Sequence, residues 1–173
     1  MVKQSSALPL AWIGLRILII VNWLSGAAIF ALLTATIVAE DWTFKALGIT
    51  DASGIPQMIM GLRAIAVLGL VAIPLNNMMF TRLAAMVETV RRGDPFVAAN
   101  AYRLHTIAWV LLALQVLSIV IGSIGKAIST PAHPLHLDAG FSPIGWVAVL
   151  LTFVLARVFA EGTLMREDLE GTV

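Results

Sequence analysis

Cysteine is absent from the 173 residues. That removes disulfides, thiolate metal sites, thiol nucleophiles and a lipoprotein anchor from the functions open to the chain. Charge is scarce as well: 12% of residues are Asp, Glu, Lys or Arg, roughly half the share of a soluble protein, and 60% are hydrophobic. No carboxylate lies firmly inside an apolar run, so a proton-coupled exporter of the usual kind lacks its titrating group. Histidine is missing at depth; His105 falls near the end of a run and His133 and His136 fall in a loop, so no two can face each other to hold haem. No serine within a run has a histidine or lysine base at helical spacing, which leaves a nucleophile without an activator. The chain is therefore not expected to be an enzyme or to carry a cofactor. Its net charge of +1 says nothing of nucleic acid, and direct nucleic-acid binding is not expected.

What is present is apolar and long. Runs at about residues 10–39, 55–80, 100–124 and 144–160 read as spans of a membrane crossed by helices of about 20 residues, the last continuing as helix toward Leu169. The fold class is thus an all-α membrane protein with four transmembrane helices, read as a single domain over 1–173. The first run is nearly twice the roughly 7–15 apolar residues of a cleavable signal peptide, so it is read as a retained span.

The longest polar interruption runs from Thr81 to Leu104 and carries Arg82, Arg91, Arg92 and Arg103. By the positive-inside rule it is cytoplasmic. Lys3, Arg16, Arg157 and Arg166 then fall on the same side, against Lys45 and Lys126 on the other, and both termini are expected in the cytoplasm. Past Phe80 the helical spacing persists in Leu83, Met86, Val87 and Val90, so the second helix should leave the bilayer as an amphipathic stalk. Gly93 suits its C-terminal cap, Asp94 an N-cap and Pro95 the first position of the third helix. Helices 2 and 3 would both extend into the cytoplasm.

Polar residues inside the runs are the candidates for a site. Arg63 lies two turns into the second span, and with Asn22, Asn76, Asn77 and Gln115 it could serve an anion or a polar path; otherwise it snorkels or pairs with Glu40, Asp51 or Asp138. Pro74 predicts a kink. Gly26, Ala27, Ala31 and Ala35, and in the third span Ser118 and Gly122, are small residues that admit a close neighbouring helix, from this chain or from a second copy in a homo-oligomer. His133, His136 and Asp138 have ligand chemistry suited to zinc, set in a proline-rich loop that is otherwise simply solvated. Arg91, Arg92, Asp94, Phe96, Asn100 and Glu167 would share the cytoplasmic face, either against lipid headgroups or as a dock for a soluble protein.

The succession Gly93, Asp94, Pro95, Phe96, Asn100 and Leu104, with Phe159, Gly162, Leu164, Glu167, Leu169, Thr172 and Val173 near the end, resembles the bacterial four-helix membrane proteins classed as domain-of-unknown-function family 2975. The resemblance implies the inner membrane of a bacterium and no established reaction. Members are often encoded beside small helix-turn-helix regulators, which implies a regulatory or sensing component acting through cytoplasmic protein contacts. The alternative is a small transporter or anion-binding membrane protein. A polar cavity running from Arg63 to Asn76 would mark the alternative, and an ordered cytoplasmic platform the former.

Overall fold

A computed structural model describes residues 7–40, 42, 43, 55–129 and 137–170. Among these the chain is helical, with no strand: α1 is Ala7–Val38, α2 Ile55–Arg91, α3 Ala98–Ile128 and α4 Pro143–Glu170. Each is long and apolar enough to cross a membrane. The 37 residues of α2 extend to roughly 55 Å, nearly twice a hydrocarbon core of about 30 Å.

The surface explains why lipid is needed. Ile13, Ile17, Ile20 and Leu24 of α1 are exposed at spacings of three and four, as are Val147, Leu150, Val154 and Val158 of α4. Continuous apolar stripes of this kind are rare on soluble proteins and are the ordinary lipid face of a spanning helix. Threonine hydroxyls on the same helices are satisfied internally. Thr34 donates to the Phe30 carbonyl (2.9 Å), Thr152 to Ala148 (2.7 Å) and Thr163 to Phe159 (2.8 Å). These threonines therefore carry no signal of a polar path.

The chain divides into two compact units, with α1 passing from one to the other after Asn22, α2 at Pro74 and α3 after Ala113. Proline has no N–H, so at Pro74 the helix cannot make the bond to the Leu70 carbonyl. One unit, here the corner unit, combines the start of α1, the second half of α2, the first half of α3 and α4. Leu104, Ile107, Ala108, Val110, Val149 and Ala156 are its buried apolar residues.

The other, the Arg63 unit, holds the rest of α1, α2 and α3 and the segment that leads to α4. Gly61 and Gly26 sit where a side chain of a neighbouring helix presses close. A Cβ on Gly61 would lie 2.5 Å from the Ile128 side chain, and one on Gly26 would lie 3.1 Å from Ile73. Gly26 thus serves packing inside this chain, while Ala27 and Ala31 of the same row are exposed. The Ser118 and Gly122 row of α3 is likewise covered by its own chain: Ser118 Oγ accepts from the Gly140 N–H (3.1 Å) and donates to its carbonyl (3.3 Å). A Cβ on Gly122 would meet the Ala139 carbonyl oxygen at 2.5 Å.

α3 runs four residues past the expected end, so Gly125 and Lys126 are helical and not part of the following loop. Gly125 reads as a turn residue in isolation. Here Leu137 rests where a Gly125 side chain would stand, and Ser123 donates to the Ile119 carbonyl (2.8 Å). Tertiary packing overrides the local preference.

Candidate functional site

The corner between α2 and α3 is the most highly specified feature. Gly93 has φ +84°, the left-handed conformation that glycine adopts without a steric penalty. This lets its N–H reach the Val90 carbonyl (3.0 Å) and the Asp94 N–H reach Thr89 (3.1 Å). The two bonds form a Schellman cap that satisfies the last carbonyls of α2.

Asp94 and Pro95 do not then start the next helix, contrary to the expectation from their types. Residues 94–97 are irregular and α3 begins at Ala98. Asp94 is used by the cap on its backbone side, and its carboxylate pairs with Arg166 of α4. Pro95 contributes its carbonyl oxygen, which the side chain of Asn100 engages.

Asn100 is fully buried, with no exposed surface. Its Nδ2 donates to Thr89 Oγ1 (2.7 Å) and to the Pro95 carbonyl (2.9 Å), and its Oδ1 accepts from Arg103 Nη1 (2.8 Å). Thr89 Oγ1 passes its own hydrogen to the Met86 carbonyl (2.7 Å), and Arg103 also reaches the Ala85 carbonyl (3.4 Å). One amide thereby ties the end of α2, the irregular segment and the first turn of α3. An aspartate in its place would have no hydrogens to give.

α4 closes over this corner. Phe96 stacks on Phe159 with ring centroids 5.2 Å apart, and a Cβ on Gly162 would lie 3.1 Å from the Phe96 ring. Arg91 and Arg92 are both held by Glu88 of α2, at 3.3 and 3.1 Å. Arg82 lies over the Tyr102 ring (5.5 Å), and Arg16 over Trp12 (4.9 Å). A recess of about 430 Å³ is lined by Trp12, Arg16, Ile19, Thr81, Ala84, Ala85 and Glu88. Glu167 belongs to α4, and its side chain lies outside the described residues. His105 accepts from Trp109 Nε1 (3.1 Å) and packs edge-on against Phe153.

In the Arg63 unit, Arg63 Nη2 donates to Glu40 Oε2 (2.8 Å) and to the Thr36 carbonyl. Of the three carboxylates within its expected range, Glu40 is the partner found among the described residues; Asp51 lies outside them. A cavity of about 260 Å³ opens beside it, walled by aliphatic side chains from Ile29, Leu33, Leu62 and Ile65 together with Thr36 and Arg63. Gln115 belongs to the same unit and is half-buried, but is not in the wall. Asn22, Asn76 and Asn77 belong to the corner unit, where Asn22 is buried and the other two half-buried.

His133 and His136 lie outside the described residues, and Asp138 is exposed. Among the described residues no group of His, Asp and Glu is arranged to hold a metal ion. Sequence reasoning missed Thr89, Arg103, Phe159 and Arg166 as parts of the corner. Phe159 stood out as a motif residue, but nothing in its spacing said which ring it would meet.

Four long apolar helices with lipid-compatible faces define a multi-pass membrane protein. Residues 64–173 match the model of the family described as protein of unknown function (DUF2975), and the chain belongs to that family. The matched stretch includes the whole corner and α4, and begins one residue after Arg63. No curated protein and no solved structure matches the chain.

Proposed function

We propose that this is a non-enzymatic regulatory or sensing component of a bacterial inner membrane, acting through a soluble partner that docks on the corner. Both termini face the cytoplasm, and α2 and α3 project into it with the corner at their tip. The arginine asymmetry supports that orientation, and the length of α2, far above what crossing requires, supports the projection. The observation that carries the reading is the joining of corner to α4: Asp94 with Arg166 and Phe96 with Phe159, around a core fixed by Asn100.

The two kinds of contact differ in strength. Asn100 is buried and satisfied, which makes the hairpin rigid. The Asp94–Arg166 pair is half-exposed, worth about 0–1 kcal/mol once solvent screening is allowed for, and the ring pair adds about 0.5–1.5 kcal/mol. A rigid platform covered only by the weakly held end of α4, at Phe159 and Arg166, is suited to exchange that end for a partner. Arg91 and Arg92 sit beside it, paired with Glu88 at positions exposed enough for an incoming acidic group to compete.

The partner chemistry implied is a soluble protein with an acidic or aromatic surface, and a helix-turn-helix regulator encoded beside the gene is the first to test. Photocrosslinkers placed at Arg91, Arg92 and Phe96 in intact membranes should give adducts with that regulator, and one at Leu150 should not. Absence of any adduct from all three corner positions would defeat the docking reading. The transporter alternative draws no support from the Arg63 cavity, whose walls are aliphatic and whose arginine is already paired.

A further inference from the structure

The recess between α1 and α2 in the corner unit shares no residue with the contacts that hold α4, and its charges do not balance. Arg16 stands in its wall with the guanidinium over the Trp12 ring at 4.9 Å. Among the described residues it has no hydrogen bond and no carboxylate partner. Glu88, the acid of the same wall, does not answer it, because one oxygen accepts from Arg91 and the other from Arg92. Three guanidinium groups thus gather around one carboxylate. Thr81 gives its hydroxyl hydrogen to the Asn77 and Met78 carbonyls (2.8 and 3.0 Å) and has none for an anion. An anion entering the recess is left to Arg16.

Along α1 the wall changes character. Trp12 and Arg16 have the types that settle at lipid headgroups, whereas Ile19 lines the recess beside the exposed Ile20. On α2 the wall starts at Thr81, about 20 residues past Arg63 and so about one bilayer crossing along the chain. The small side chain of Ala84 helps to leave about 430 Å³ open, many times the roughly 30 Å³ share of one water molecule. A phosphate on Arg16 with hydrocarbon continuing past Ile19 is the layout of a phospholipid. A free anion would leave the apolar end of the recess unmatched.

We propose that the recess holds the headgroup of an anionic phospholipid, with its phosphate on the Arg16 guanidinium and an acyl chain running past Ile19 and Ile20. Guanidinium N–H groups match phosphate oxygens in pairs, and the Trp12 ring holds the guanidinium from one side. The surplus of arginine selects against the cationic end of a zwitterionic headgroup and adds attraction for a net negative one. Nothing in this inference requires a soluble partner at the corner.

The test reads which lipid lies against Trp12. The chain has five tryptophans; the full-length protein keeping Trp12 alone, the others replaced by phenylalanine, is placed in phosphatidylcholine vesicles with a minor share of phosphatidylglycerol. Quenching bromines are carried on the acyl chains of one lipid or the other. Per molecule of quencher, phosphatidylglycerol should quench Trp12 about fivefold more than phosphatidylcholine. A protein keeping Trp23 alone, exposed on α1 outside the recess, should show no preference. Arg16→Gln and Ala84→Leu should each bring Trp12 to the Trp23 level, and Arg16→Lys should keep part of the preference. Equal quenching of Trp12 by the two lipids would overturn the site, and a preference that survives Arg16→Gln would overturn the phosphate contact. Loss of the preference on adding inorganic phosphate at the concentration of the lipid would overturn the assignment to a lipid. Should the single-tryptophan protein not fold, the parent is melted in detergent with short-chain phosphatidylglycerol or phosphatidylcholine. A higher melting temperature with phosphatidylglycerol that Arg16→Gln lacks would support the site, and no difference between the lipids would overturn it. None of these outcomes touches the crosslinking test of the corner, so the two readings fail separately.

Discussion

Asn100 does more with one side chain than any other polar residue in the corner. Replacing it by alanine strands the Thr89 hydroxyl and the Pro95 carbonyl and removes the Arg103 partner, so Asn100→Ala should lower stability by about 2–4 kcal/mol. Asn100→Asp should be of similar severity, because the lost hydrogens are the ones that bridge to α2 and to the irregular segment. Thermal melts in detergent would check both, and an Asn100→Asp protein as stable as the parent would contradict the hydrogen-bond assignment. Gly93→Ala forces a side chain into the left-handed region and should cost about 1 kcal/mol in the same assay. Gly93 was legible because its type carries conformational meaning, and Asn100 through the family resemblance. Thr89 and Arg103 were not, because what makes them matter is that the turn folds one helix end back on the next, and no periodicity crosses a turn.

Among the helices, existence and approximate position followed from the apolar runs, since a span of lipid requires a length of unbroken apolar helix that little else in a sequence imitates. Their ends were less readable. Asp94 and Pro95 have the types that open a helix, yet the Schellman cap and the pair with Arg166 claim Asp94 first, and α3 starts three residues after Pro95. The beginning of α3 is displaced by the cap and by a residue 72 positions away, and its end by Leu137 against Gly125, contacts that local propensity does not encode. The approach of α2 to α3 in the Arg63 unit depends on Gly61. Gly61→Val should destabilise by about 1–3 kcal/mol through overlap with Ile128, and Ile128→Ala in the same chain should return part of that loss. Strict additivity of the two substitutions in a double-mutant cycle would show that the residues do not meet.

For the molecule entire, the orientation of the four helices in the bilayer is a proposal that cysteine chemistry can decide without background, because the chain has no native cysteine. A membrane-impermeant maleimide added to intact cells should modify Ser129→Cys and spare Arg92→Cys until the membrane is opened. Labelling of Arg92→Cys in intact cells would invert the topology and remove the corner from the cytoplasm. The four apolar helices were readable from hydropathy. The Arg63 cavity was not, since an aliphatic recess leaves no mark on a sequence already 60% hydrophobic.

The spread of the corner contacts along the chain bears on biogenesis. Asn100 reaches partners no more than 11 residues away, whereas the Asp94–Arg166 pair joins residues 72 apart. As the polypeptide leaves the ribosome, the α2–α3 hairpin can set while α4 is still being synthesised. Until translation finishes, the Phe96 ring lacks its lid, and a nascent chain stalled before Phe159 would offer that ring to whichever chaperone or partner arrives first.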